Sequence, residues 1–110
     1  MNFPEDLVRG SIAPVVLSLL AERPMYGYEM VKQVNARTKG ILELKEGTLY
    51  PALHRMEAEG LLAASWKQAP DSARRRKYYR LAAKGRAQLA RRRSEWSAFT
   101  TAVNQILTPS

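Results

Sequence analysis

The stretch that decides the fold is residues 46–60, EGTLYPALHRMEAEG. Leu49, Leu53 and Met56 fall at i, i+4 and i+7, the spacing of side chains on one face of an α-helix. Thr48 is placed to cap such a helix, which puts Pro51 in the first turn, where its missing N–H costs little. Gly60 suits the C-terminal stop, since glycine enters the left-handed conformation there without a Cβ penalty. With the three apolar residues turned inward, Thr48, Tyr50, Pro51, His54 and Arg55 remain on the outer side. Glu57 and Glu59 trail at the negative end of the helix dipole, where an acid is not stabilising. That order fits a helix whose first turns meet an anionic surface while its far end stays clear of it.

Upstream, Ile12, Val15, Val16, Leu19 and Leu20 repeat at helical spacing. Pro14 predicts a kink or a start near that point, and Arg23-Pro24 ends the helix. A second helix follows Tyr26-Gly27, with Tyr28, Val31 and Val34 expected inward, and stops near Lys39-Gly40. Downstream, LLAASWKQ (61–68) and RRRKYYRLA (74–82) flank a Pro-Asp-Ser turn, the pattern of a β-hairpin. Residues 83–107 hold no proline and one early glycine, Gly85, which predicts a single helix of roughly 36 Å at about 1.5 Å per residue. The fold class is mainly α with a small β-hairpin. Three short helices, a hairpin and a long helix are the order of a winged helix-turn-helix. Residues 1–82 read as the DNA-binding domain and residues 83–110 as a C-terminal dimerisation helix.

The charge supports a nucleic-acid partner. The 110 residues carry a formal net charge of +8, and of 18 Lys and Arg, eleven lie between Lys67 and Arg93 beside one acid, Asp71. A field so concentrated points to an anionic polymer, double-stranded DNA first among them. In a helix-turn-helix the second helix of the pair enters the major groove N-terminus first. Arg55 can read guanine edges, Thr48 and Tyr50 can bond phosphates or bases, and Lys45 is placed for a phosphate. Arg74, Arg75, Arg76 and Lys77 stand at the hairpin mouth, and strand alternation lets about half of them meet one surface. Three alternatives stay open. The cations can guard an edge strand against aggregation, serve a non-specific nucleic-acid or architectural protein, or form a basic protein-interaction module.

Other classes are disfavoured. The chain has no cysteine and one histidine, His54, in an exposed basic setting. It has no Gly-rich phosphate loop and no acids paired in an apolar context, so neither an enzyme nor a metal or cofactor is expected. The apolar run 13–21 is too short to span a bilayer, and MNFPEDLVRG lacks a signal-peptide pattern. A cytoplasmic chain without a membrane partner is the expectation.

The terminal helix carries a seam near a seven-residue repeat: Leu89, Trp96, Phe99, Val103 and Ile106. Pairing with a second copy would bury it and match two half-sites on DNA. Packing back onto the first helix is the alternative, and the two are compatible. Facing Trp96 side chains, with Phe99, Val15 and Ile12 nearby, could also leave a slot for a flat apolar molecule.

PMYGYEMVKQV (24–34), KEGTLYPALHRMEAEGLL (45–62) and RRRKYYRLAAKG (74–85) resemble the PadR family of bacterial transcriptional regulators. The terminal helix is similar to the branch that ends soon after one such helix. The resemblance implies a homodimeric repressor of a palindromic operator, with Tyr26, Thr48, Tyr50, Pro51, His54 and the wing cations near DNA. It further implies a planar aromatic or drug-like effector bound at a dimer-interface pore by a terminal-helix Trp, here Trp96. Three departures stand out. The wing tip Pro70-Asp71-Ser72-Ala73 lacks glycine, Ala82 and Ala83 replace a capping Thr, and Arg91 to Arg93 crowd the pore.

Overall fold

The computed structural model describes residues 2–70 and 72–109. Asp71, the centre of the expected Pro-Asp-Ser turn, lies outside the described residues. The elements run α1 Glu5–Glu22, β1 Met25–Tyr26, α2 Gly27–Arg37, α3 Glu46–Ala58, β2 Leu62–Gln68, β3 Arg75–Leu81 and α4 Ala83–Leu107. The winged-helix class and the long last helix are as expected. The third strand is new: β1 pairs antiparallel with β3, giving the sheet order β1-β3-β2. Two residues beside Pro24 carry too little pattern to announce a strand.

α1 is the central post. It presents Ile12, Val16, Leu17, Leu19 and Leu20 to the core from several sides, as a helix packed against α3, α4 and β3 must. Fully burying a side chain of this size contributes about 1.5–3 kcal/mol. The helix neither starts nor stops at Pro14 but runs through it. The carbonyl deprived of its partner belongs to Gly10, which is exposed to water.

α2 differs from expectation in its inner face. Met30 and Val34 are buried, while Tyr28 is 47% exposed. Two residues along a helix turn by about 200°, so Met30 and Tyr28 point opposite ways. The backbone N–H of Tyr26 donates to Glu29 Oε1 at 3.1 Å, and Arg23 Nη1 donates to the other oxygen at 3.0 Å. At the far end Lys39 takes φ 53° and Gly40 φ 79°. Their N–H groups donate to Ala36 and Asn35, which closes the helix.

α3 starts earlier than the sequence suggested. Lys45, not Thr48, is the cap residue, and its carbonyl accepts from Thr48 and Leu49 at 3.0 and 2.9 Å. Thr48 is thus the third helical residue, and Pro51 falls in the second turn. The carbonyl left free by Pro51 is that of exposed Gly47. Leu49, Leu53 and Met56 are buried as expected, joined by Ala52. Gly60, at φ 81°, ends the helix; its N–H reaches Glu57 O and that of Leu61 reaches Met56 O.

α4 has no side-chain cap on Ala82, in line with the missing Thr. Its base is held otherwise. A Cβ at Gly85 would lie 2.2 Å from the Leu61 carbonyl oxygen, which also accepts the Ala82 N–H at 3.0 Å. Only glycine lets the helix lie this close.

Candidate nucleic-acid interface

Three elements meet at the start of α2. Tyr50, from the second turn of α3, lies on Gly27: a Cβ there would fall 2.6 Å from the tyrosine hydroxyl. The Arg76 guanidinium of β3 sits over the Tyr26 ring at 5.3 Å. Tyr26 meets Tyr78 edge to face, centroids 5.3 Å apart, and Lys67 Nζ covers Tyr78 at 4.2 Å. Burial raises the Tyr50 hydroxyl above its ordinary pKa, helped by Glu46 and Tyr79 and opposed by Arg76. Tyr26, Tyr50 and Arg76, three of the residues singled out in sequence, are therefore assembled in one place. Tyr26 is itself only 7% exposed, so its ring serves chiefly as a platform.

Strand register divides the wing cations. Lys67 stands opposite Arg76 on one face, while Trp66 faces Lys77 and Gln68 faces Arg75 on the other. Lys77 turns toward α3 and donates to Glu57 Oε1 at 2.9 Å, a bond that raises its pKa. Arg75 donates to the Trp66 carbonyl at 3.2 Å. Arg74 is exposed, and Arg76 keeps its Nε shielded without a hydrogen-bond partner. The trailing acids of α3 thus have a structural role. Glu57 ties the helix to the wing, and Glu59 lies 3.9 Å from Arg55.

The remaining sequence candidates lie apart from this cluster. Pro51, His54 and Arg55 are exposed along α3. Lys45 and Thr48 line a cleft of ≈ 410 Å³ with Asn2, Phe3 and Glu5 at the start of α1. Lys67 and Gly27 were missed. Lys67 was legible from alternation opposite Arg76, whereas Gly27 is explained only by the ring that rests on it.

The terminal seam divides as well. Leu89 is 8% exposed and belongs to the subunit's own core, and Ile12 at 2% is closed to any ligand. Both depart from their expected roles at an interface or effector site, because α4 packs on α1 through its first turns. Farther along, Trp96 is 39%, Phe99 63% and Ile106 86% exposed, with Val103 half-buried. A groove of ≈ 450 Å³ between α1, α2 and α4 is lined by Val15, Leu19, Val34, Leu42, Arg93 and Trp96, among others. Phe99 lies on the opposite flank of Trp96, rings 6.5 Å apart, in a cleft with Asp6 and Arg92. Among the described residues no three His, Cys, Asp or Glu are grouped to hold a metal ion. No helix among them is long and apolar enough to cross a membrane.

Residues 16–91 match the transcriptional regulator PadR-like family. The chain is 32% identical over 84 residues to the transcriptional regulator Rv3488 of Mycobacterium tuberculosis, covering 76% of this chain and 74% of that protein. It is similar in structure to a transcriptional regulator from Clostridium thermocellum, with TM-score 0.81 and 32% identity over 91% of this chain and 96% of that one. A PadR family regulator from Clostridium difficile is 38% identical, with TM-score 0.72, over 88% of this chain and 98% of that one.

Proposed function

The chain belongs to the PadR-like family of DNA-binding transcriptional regulators, and from that premise we propose that it is a homodimeric repressor of a palindromic operator, released by a planar aromatic effector. The observation that carries the DNA half is the convergence of Tyr50, Tyr26 and Arg76 at the start of α2. Tyr50 reads bases from the second turn of α3 and Arg55 from its last turn, with Thr48, Pro51 and His54 along the same helix. Arg74 and Arg76 hold phosphates from the wing, and Lys45 holds another. Lys77 and Arg75 contribute chiefly to the field, because each already has a partner within the chain.

The dimer half rests on exposed apolar surface. Phe99, Ile106 and Leu107 are mostly open to water within one subunit, and Trp96 is 39% exposed; water contact of this extent marks an interaction surface. Residues 1–82 act as the reading domain, and residues 83–110 hold the partner; the base of α4 is fastened to the reading domain by Gly85 and Leu89. An effector at Trp96 would favour one separation of the paired α3 helices over another, and DNA affinity changes by that difference alone.

Selection of bound DNA from a random pool by the purified protein tests the proposal. The expected product is a palindrome with half-sites one helical turn apart, about 34–36 Å. Uniform, salt-sensitive binding with no preferred site would instead leave a non-specific nucleic-acid or architectural protein. No binding at moderate salt would leave a basic protein-interaction module.

A further inference from the structure

We propose that Trp66 is a DNA-contacting residue of the wing, its indole packing against deoxyribose where a backbone strand passes between the wing and α3. The inference rests on the chain's binding of duplex DNA, not on an operator or an effector. It adds an apolar contact to a surface so far described by its charges. At 60% exposure, Trp66 is the most open of the large apolar side chains described before α4. Strand pairing says which way it points. Leu62, Ala64 and Trp66 share one face of β2 and stand opposite Leu81, Tyr79 and Lys77 of β3. Leu62, Tyr79 and Leu81 are buried, so this is the face that covers the core. At Trp66 the row has run out past the core, yet α3 still lies before it: Lys77, directly opposite, donates to Glu57 of α3 at 2.9 Å. The indole therefore fronts the space between the wing and α3.

Its neighbours leave the ring bare. Lys77 leans back, its Nζ over the Tyr79 ring at 5.2 Å. Arg75 reaches the Trp66 carbonyl at 3.2 Å, not the indole. Among the described residues no cation or second ring lies against it. A single exposed aromatic is ordinary on a protein surface, so the setting decides what this one meets. Lys67 follows it in the chain, Arg75 and Arg76 stand on the paired strand, and the acid bonded across this face, Glu57, is already matched by Lys77. Such a field draws a polyanion close. A polyanion of charged groups alone has nothing for an indole, whereas the DNA backbone has phosphates for the cations and sugar carbons for the ring. An apolar contact of this kind releases no counterion, so its mark is affinity that does not vary with salt.

The test titrates the full chain with a duplex of random sequence over a range of salt concentrations. Trp66→Ala is expected to weaken binding about three- to tenfold, the size of effect that covering part of one indole supports. The slope of log affinity against log salt should stay as in the wild type, whereas Arg74→Ala should flatten it by about 0.9. Trp66→Phe should keep most of the affinity. It leaves Trp96 as the single indole, and the shielding of indole emission from acrylamide that the duplex confers on the wild type should largely disappear. Unchanged affinity in Trp66→Ala, or a loss that comes with a flattened slope, overturns the inference and leaves DNA binding standing. Shielding that persists in Trp66→Phe does the same. Poly-glutamate that shields the indole as well as the duplex does would show a surface for polyanions in general and would also overturn it. If the wild type binds no duplex, the DNA reading falls and this inference falls with it.

Discussion

The chain uses large apolar residues in two ways. From α1 to the first turns of α4 most are enclosed: Val16, Leu17, Met25, Met30, Leu49 and Leu53 are wholly buried, with Leu7, Tyr28, Ile41 and Trp66 the exposed exceptions. Beyond Arg93 they are displayed, with Phe99 at 63% and Ile106 at 86% exposure. Both regions are rich in apolar side chains, yet one forms an enclosed core and the other stands largely open. The difference shows that the winged domain does not need the distal part of α4 in order to be packed. In the dimer proposed above, a second copy covers the apolar residues there.

Substitutions can break that contrast or sharpen it. The largest effect is expected in the core, where Leu53→Ala should cost about 2–5 kcal/mol in urea unfolding, the cost of a cavity that cannot fully collapse. Gly85→Ala comes next, at about 1–3 kcal/mol, because the new methyl group meets a backbone carbonyl rather than a flexible side-chain end. An unchanged melting temperature would mean that the base of α4 is not part of the enclosed region. Phe99→Ser combined with Ile106→Ser should lower stability by less than about 1 kcal/mol at protein concentrations too low for pairing. The same pair of changes should leave single subunits in sedimentation at concentrations where the wild type associates. A loss as large as that of Leu53→Ala would erase the distinction between the two regions.

The smallest effect belongs to the tie between α3 and the wing. Glu57→Gln should remove about 0.5–1 kcal/mol, the range of partly exposed ion pairs. It should also blunt the response to alkali. Lys77 is raised above 10.5 chiefly by Glu57, and Tyr50 above 10.0 chiefly by burial. Both hold their protons more tightly when folded, so their contribution is complete below those ordinary values and is lost as pH climbs through the raised ones. The melting temperature should decline above about pH 10, less steeply in Glu57→Gln. A parallel decline in both proteins would remove Lys77 from the account.

Much of this was legible in the residues. The spacing of Leu49, Leu53 and Met56, the Gly60 stop and the proline-free run 83–107 each report a local backbone preference, and local preferences are written locally. Tyr28 was placed inward wrongly because aromatic character outweighed its angle to Met30. Thr48 looked like a cap because its side chain suits one, but backbone carbonyl pairing at Lys45 starts the helix sooner. Leu89 and Ile12 were assigned to outer surfaces for another reason. Periodicity marks a helix face without saying which neighbour covers it, and only the packing of α4 on α1 decides that. Likewise the division of Arg74 to Lys77 into free and engaged cations needed Glu57 and the Trp66 carbonyl, which sequence distance hides.

The glycine at 85 has a mechanical consequence. It seats α4 against the Leu61 carbonyl, one residue beyond the turn that closes α3, and Lys84 adds a 2.7 Å bond from its Nζ to the Glu59 carbonyl. The long arm is thus seated at the tail of α3 rather than on a distant loop. Any tilt imposed near its free tip is delivered at that fulcrum, with leverage proportional to the arm, and no intervening linker absorbs it.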